Sequence, residues 1–169
     1  MKTLLVTGGA GFIGANFVHY WLEKYPEAKV VVLDALTYAG NMANLVSVES
    51  NSNYTFFHGN ICDQKLVEKI LVEHKIDTLV HFAAESHVDR SITGPDAFIE
   101  TNIMGTYSLL KAAKKVWLDG DKVLENHRFH LFLPMRFTVH YQQATLLLLK
   151  ILPMHLILRI LRVKPQVTI

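Results

Sequence analysis

Cysteine is nearly absent from this chain of 169 residues, with Cys62 the only one. A single thiol excludes an internal disulfide and suits a reducing compartment. No leader pattern opens the chain: one basic residue, Lys2, precedes a short apolar run that glycines break, so the expected localisation is cytoplasmic. Internal repeats and Gly/Ser linkers are also lacking, and the length allows one modest domain. The last stretch has its own absences. No glycine follows Gly120 and no acid follows Glu125. The net charge of +2 therefore hides a split. Through His130 there are 12 Lys+Arg against 15 Asp+Glu, and residues 131–169 hold five basic residues and no acid. Basic residues without clustered stacking or base-reading partners give no case for nucleic acid. The apolar run Leu146–Leu161 contains Lys150, Pro153, His155 and Arg159. It is shorter than the roughly 20 residues of a membrane span, and Pro153 interrupts a surface helix, so no membrane role is expected.

What is present is alternation. Lys2–Thr7, Val30–Asp34, Asn53–His58 and Thr78–Phe82 are short apolar runs of the buried-strand kind, and Phe129–His130 starts a fifth. Between them lie helical patterns. Gly11–Lys24 carries an apolar stripe of Phe12, Ile13, Phe17, Val18, Trp21 and Leu22, and Gln64–His74 one of Leu66, Val67, Ile70 and Leu71. Pro95 opens an amphipathic segment reaching about Val116, with a break near Gly105. This order predicts an α/β fold, a Rossmann-type doubly wound parallel sheet, incomplete, over residues 1–130. Residues 131–169 form an atypical apolar C-terminal tail with no domain of its own.

Ligands on such sheets sit at the carboxyl ends of strands. After the first strand stands "TGGAGFIG", with Gly8, Gly9, Gly11 and Gly14. From Gly9 it fits G-x-G-x-x-G, and from Gly8 G-x-x-G-x-x-G. Small residues there make a tight turn, admit a pyrophosphate and let the helix pack on the strand. The helix start then directs free N–H groups at the phosphates. Asp34 ends the second strand twenty residues past Gly14. A carboxylate there accepts from both ribose hydroxyls and repels a 2′-phosphate, which points to NAD rather than NADP. His58, His74 and His81 have no ligand-like spacing with Cys62, so no metal site is expected. Phe56, Phe57 and Phe82 read as core, and Asp96 and Glu100 as support for a helix start.

The strings "TGGAGFIG", "VVVLDALTYAGN", "HGNICD", "HFAAESHVDRSITGP" and "ETNIMGTYSLLKAA" resemble the extended short-chain dehydrogenase/reductases. Within them they resemble the dTDP-glucose 4,6-dehydratases, and the similarity spans essentially residues 1–130. The resemblance implies that Gly8, Gly11, Phe12, Ile13 and Gly14 meet the pyrophosphate of NAD. Asp34 would hold the adenosine ribose, with Ala35, Leu36 and Thr37 lining that site. Asn60 and Ile61 would meet the adenine edge, and the family usually has Asp where Asn60 stands. Phe82, Ala83, Ala84 and Glu85 would run toward the nicotinamide, Ser86 would reach the sugar, and Thr101 would lie near the nicotinamide. His87 and Asp89 are read as loop-fixing polar residues. The implied partner is a small nucleotide sugar, dTDP-glucose, and the implied assembly a homodimer.

The same resemblance demands residues that do not follow. Oxidation at the sugar needs a Tyr-x-x-x-Lys pair, and elimination needs a neighbouring Asp and Glu after the fifth strand. Beyond His130 there is no acid, and Tyr141 is followed at the fourth position by Thr145. A shifted reading frame accounts for this. Joining the last base of each codon to the first two of the next, Phe132 through Val139 can spell Ser-Thr-Asp-Glu-Val-Tyr-Gly, the family's acid motif. Arg159 through Pro165 can spell Tyr-Ser-Ala-Cys-Lys-Ala, its base motif. The expectation is an enzyme by family, a hydro-lyase of nucleotide-sugar metabolism, here frameshifted and inactive, with no catalytic residue assigned. The alternative is a non-catalytic nucleotide-binding or membrane-peripheral protein that uses its basic apolar tail.

Overall fold

The computed structural model describes residues 2–86, 95–119 and 126–132. Five strands, β1 (Thr3–Thr7), β2 (Lys29–Asp34), β3 (Tyr54–His58), β4 (Thr78–His81) and β5 (Arg128–Leu131), form one sheet in the order β3-β2-β1-β4-β5. Every neighbouring pair is parallel, and Val6 of β1 lies between Val32 of β2 and Val80 of β4. The chain winds outward from β1 to β3, then returns to β1's other side to place β4 and β5. The strand order therefore reverses between β1 and β4, which opens a crevice above their carboxyl ends.

Strands covered on both faces need apolar residues at successive positions, because side chains alternate between the faces. Leu5, Val31, Leu33, Leu79 and Phe129 face one way and pack with α2 (Gln64–Glu73) and the later helix through Val67, Ile70, Leu71, Leu109, Ala113 and Trp117. Leu4, Val6, Val30, Val32 and Val80 face the other way, against Val18 and Leu22 of α1 (Phe12–Lys24) and against Leu45 and Val48. In the central strand β1, Leu4, Leu5 and Val6 are all without solvent exposure. Trp117 seals the end of the first face: its indole Nε1 donates to Ile76 O at 2.9 Å, and its ring stacks on His127.

Local signals set the element ends. Asp63 caps α2, its carboxylate accepting from Leu66 N–H at 3.0 Å. Asn41 caps a 3₁₀ segment, Met42–Val48, by accepting from Ala43 N–H at 2.9 Å. That segment carries no helical period in the sequence. It is fixed by tertiary bonds, with Asn41 N–H and the Asn44 side chain both donating to Ala10 O.

One expectation needs correction and one is extended. The apolar stripe of α1 does not include Phe12 and Ile13, which are 81% and 66% exposed. They occupy the first turn, which projects past the sheet over the crevice, and Gly14 and Ala15 are buried there instead. The segment from Pro95 does change at Gly105, and it also changes earlier, at Ile99. It runs as α3 (Pro95–Phe98), a π-helical stretch (Ile99–Gly105) and α4 (Thr106–Trp117). The wider turn starts at Ile99, and a missing Cβ at Gly105 lets it settle on Ile61, whose Cδ1 lies 2.4 Å from where that atom would stand. The expected tail begins inside β5, whose last residue is Leu131; its residues 133–169 lie outside the described residues, as do His87 and Asp89.

Candidate functional site

The crevice above β1 and β4 holds a cleft of about 340 Å³, within the usual range for small-molecule sites. Its floor is the turn after β1. Gly8 has φ +72°, and a Cβ on it would stand 2.5 Å from Ala83 N. Only glycine lets the turn lie directly against the chain leaving β4. Gly14 is confined in the same way, since a Cβ would come within 2.2 Å of Gly8 O. Gly11 N-caps α1 without a side-chain bond, and no acid stands in the first turn. The opening N–H groups of α1 therefore keep their capacity to bind an anion, and the helix dipole favours one.

Asp34 ends β2 at the cleft, 8% exposed. Its Oδ2 accepts from Ala10 N–H and its Oδ1 from Leu36 N–H, each at 2.8 Å. The carboxylate thus ties the glycine turn to the loop after β2, and each oxygen keeps a lone pair for an incoming hydroxyl. Gly40 closes over it, because a Cβ there would lie 2.7 Å from Oδ1. Gly59 N–H donates to Asp34 O at 3.0 Å, which binds the loop after β3 to the same place.

The opposite wall is the chain from Phe82 to Ser86, and a buried polar chain holds it. Asn102, on the π-helical stretch, accepts from Glu85 N–H at 2.8 Å through Oδ1 and donates to Glu85 O at 2.9 Å through Nδ2. Thr106 Oγ1 donates to Asn102 O at 2.7 Å. With its one proton committed, that hydroxyl accepts from His81 Nε2, 3.1 Å away. Nδ1 of His81 then accepts from Thr7 Oγ1 at 2.7 Å. One neutral tautomer with the proton on Nε2 satisfies every member. Burial lowers the His81 pKa to about 4, in keeping with a ring that stays neutral. Cys62 sits behind this wall, its thiol pKa raised by burial and then by Glu100.

The cleft wall brings together Gly8, Gly11, Phe12, Ile13, Gly14, Asp34, Ala35, Thr37, Asn60, Ile61, Phe82, Ala83, Ala84, Glu85, Ser86 and Thr101. Leu36 stands apart: its backbone takes φ +51°, and its side chain packs against the α1 face of the core. The wall also contains Leu33, Ala39, Gly40 and Gly59, which sequence reasoning did not name. Gly59 carried a signal, since it is a glycine directly after a strand, and Gly40 lies in the loop that follows β2. Phe82 does double service, lining the cleft while stacking with Phe132 at 4.6 Å and packing on Phe17 at 5.3 Å. Phe56 and Phe57 lie half-buried against opposite faces of the core. Asp96 falls in the first turn of α3 and Glu100 in that of the π-helical stretch.

Among the described residues no group of His, Cys, Asp or Glu comes together to hold a metal ion. None of the described helices is long and apolar enough to cross a membrane.

A family model described as GDP-mannose 4,6 dehydratase matches residues 5–132. A curated relative, dTDP-glucose 4,6-dehydratase 1 of Escherichia coli (strain K12), is 52% identical over 129 residues, covering 75% of this chain and 35% of its own. Among solved structures, the dTDP-glucose 4,6-dehydratase DesIV from Streptomyces venezuelae, described with NAD bound, superposes with a TM-score of 0.66 at 47% identity. That match covers 76% of this chain and 38% of DesIV. A UDP-glucose 4-epimerase from Thermotoga maritima gives 0.63 at 32% identity, covering 76% and 37%. The chain thus spans about a third of the length of the curated relatives it matches.

Proposed function

The chain belongs to the GDP-mannose 4,6-dehydratase family, and from that premise we propose that it is the dinucleotide-holding part of an NAD-dependent dTDP-glucose 4,6-dehydratase, a hydro-lyase of nucleotide-sugar biosynthesis. The observation that carries this is the joining of two glycines without room for a Cβ to a buried carboxylate, at the crevice where the strand order reverses.

The residues fit the cofactor. The turn of Gly8, Gly11 and Gly14, with the opening N–H groups of Phe12 and Ile13, would take the pyrophosphate. Asp34 would accept from the adenosine ribose, next to Ala35 and Thr37. Asn60 and Ile61 would meet the base, and Phe82–Glu85 with Thr101 would flank the nicotinamide half. Leu36 would act through its backbone N–H, which holds Asp34, rather than as a lining side chain. Ser86 would reach the sugar of a nucleotide-linked substrate. When bound, NAD supplies a temporary hydride acceptor for oxidation at sugar C4, and the family's reaction ends with that hydride at C6 after water leaves C5–C6. This chain's own share is to bind, orient and exclude water. Its wall is mostly backbone and apolar, and the exposed side chains of Phe12 and Ile13 line it at the start of α1.

The family's two proton-transfer motifs do not follow His130 in the frame given. The residues after His130 contain no acid and no Tyr-x-x-x-Lys, and the shifted-frame spelling supports a change of frame near codon 130. The chain as given would hold the cofactor without turning over the sugar. Its assembly as a dimer and its place in the cytoplasm belong to the same proposal. Two observations test it. The encoding DNA should carry codons able to spell both hidden motifs, and codons that cannot spell them end the frame-change account. Titration with NAD should raise the unfolding temperature saturably, and no rise at millimolar cofactor speaks against the binding role.

A further inference from the structure

The loop after β3 contains one polar group whose direction the backbone fixes. Asn60 O accepts from Asp63 N–H at 3.0 Å, and Asn60 Oδ1 accepts from Cys62 N–H at 2.9 Å. A backbone N–H needs an acceptor, so the carboxamide cannot turn over without breaking that bond. Nδ2 is left without a partner among the described residues, on a side chain that is exposed and lines the cleft. Ile61 beside it is buried and pinned against Gly105, which holds the loop in place.

We propose that Asn60 is a specificity-determining residue that offers a hydrogen-bond donor to the 6-position of a bound purine, so that this chain takes a 6-oxopurine dinucleotide at least as well as the 6-amino one. The proposal rests on the dinucleotide reading above. With phosphates at the turn after β1 and ribose at the end of β2, the base lies over the end of β3, one strand further out, about 4.8 Å. The 6-position is a corner of the purine remote from the ribose, and in this placement it would face Asn60. Adenine carries an amine there, which sets donor against donor and leaves only the neighbouring ring N1 to accept. Hypoxanthine carries an oxygen, which accepts from Nδ2. A carboxylate in place of Asn60 reverses the match: one oxygen still takes the Cys62 N–H, and the other accepts from the adenine amine.

The test is equilibrium binding of the full chain to NAD and to nicotinamide hypoxanthine dinucleotide, with Asn60→Asp and Asn60→Ala beside it. Asn60→Asp keeps the turn's acceptor, and thermal unfolding checks that it folds. In the unaltered chain the hypoxanthine dinucleotide should bind as tightly as NAD or tighter. In Asn60→Asp the ratio should move about tenfold toward NAD, the worth of one hydrogen bond exchanged for a mismatch. Asn60→Ala, with neither donor nor acceptor, should fall between them, and it carries the comparison if Asn60→Asp does not fold. An unchanged ratio in the variants, or a shift toward hypoxanthine in Asn60→Asp, overturns the role of Asn60. Failure of the unaltered chain to bind either dinucleotide overturns the cofactor reading itself and the proposal with it.

Discussion

The two ends of the cleft are built by different means. At the Asp34 end, each bond joins a residue to the loop directly beyond a strand: Asp34 to Leu36 and Ala10, Asn60 to Cys62. At the Phe82–Ser86 end, the wall is held from a distance, by Asn102 on another element and by a chain reaching from Thr7 through His81 to Thr106. The first end is a set of adjacent turns that each strand brings with it. The second exists only once β1, β4 and the π-helical stretch have assembled. Polar groups buried in a chain like this are stabilising when all are satisfied and costly when one is lost.

Gly8 is where the two ends touch, so its substitution should have the largest effect. Gly8→Ala forces a Cβ into Ala83 N and strains a residue at φ +72°. Destabilisation of roughly 3 kcal/mol, with loss of NAD binding, is expected. Urea unfolding with an NAD titration checks it, and a variant of unaltered stability would separate the two ends altogether.

His81 distinguishes the distant end by pH. Its pKa falls from the usual 6.5 to about 4 on folding because the ring is buried. The unfolded chain takes up a proton near 6.5 and the folded chain does not, so stability is complete above that pH and declines as pH falls toward 4. The decline should be on the order of 3 kcal/mol. His130, its pKa lowered by burial and then by Arg128 and Lys2, adds in the same direction. Unfolding free energies at several pH values should show this slope, shallower in His81→Gln. An equal slope in the variant would place the effect elsewhere.

Asn102→Ala should act more gently and on one end alone. Losing both bonds to Glu85 should weaken NAD about tenfold and leave AMP, which needs only the Asp34 end, unchanged. Faster hydrogen exchange at the Glu85 amide should accompany it. Equal losses for AMP and NAD would mean that the two ends are one unit.

The contrast also explains how much the sequence disclosed. Strands and α1 were legible because apolar runs, glycines and the acid after β2 lie where each element starts or stops. The glycines and Asp34 of that end were legible for the same reason, whereas Thr37 and Asn60 came only from the family resemblance, and both line the cleft. What stayed hidden depends on partners far along the chain. Nothing near Met42–Val48 announces a 3₁₀ segment whose anchor is Ala10 O. Nothing in "ETNIMGT" shows that Asn102 will grip Glu85, or that the helix must widen to let it. Phe12 and Ile13 fit a helical period, yet the period cannot tell that the first turn overhangs a cleft rather than the core. Leu36 sat in the right loop, but a left-handed backbone turns its side chain away from the cleft.

In the proposed reading nucleotide holding and sugar chemistry are separable, and the residues given provide for the first. The direct measurement is to incubate the purified chain, freed of host enzyme, with NAD and dTDP-glucose, and to measure both retained NAD and 4-keto-6-deoxy product. Retained NAD with no product above background is expected. Product formed by the chain itself, or a folded chain that retains no NAD, would overturn that reading.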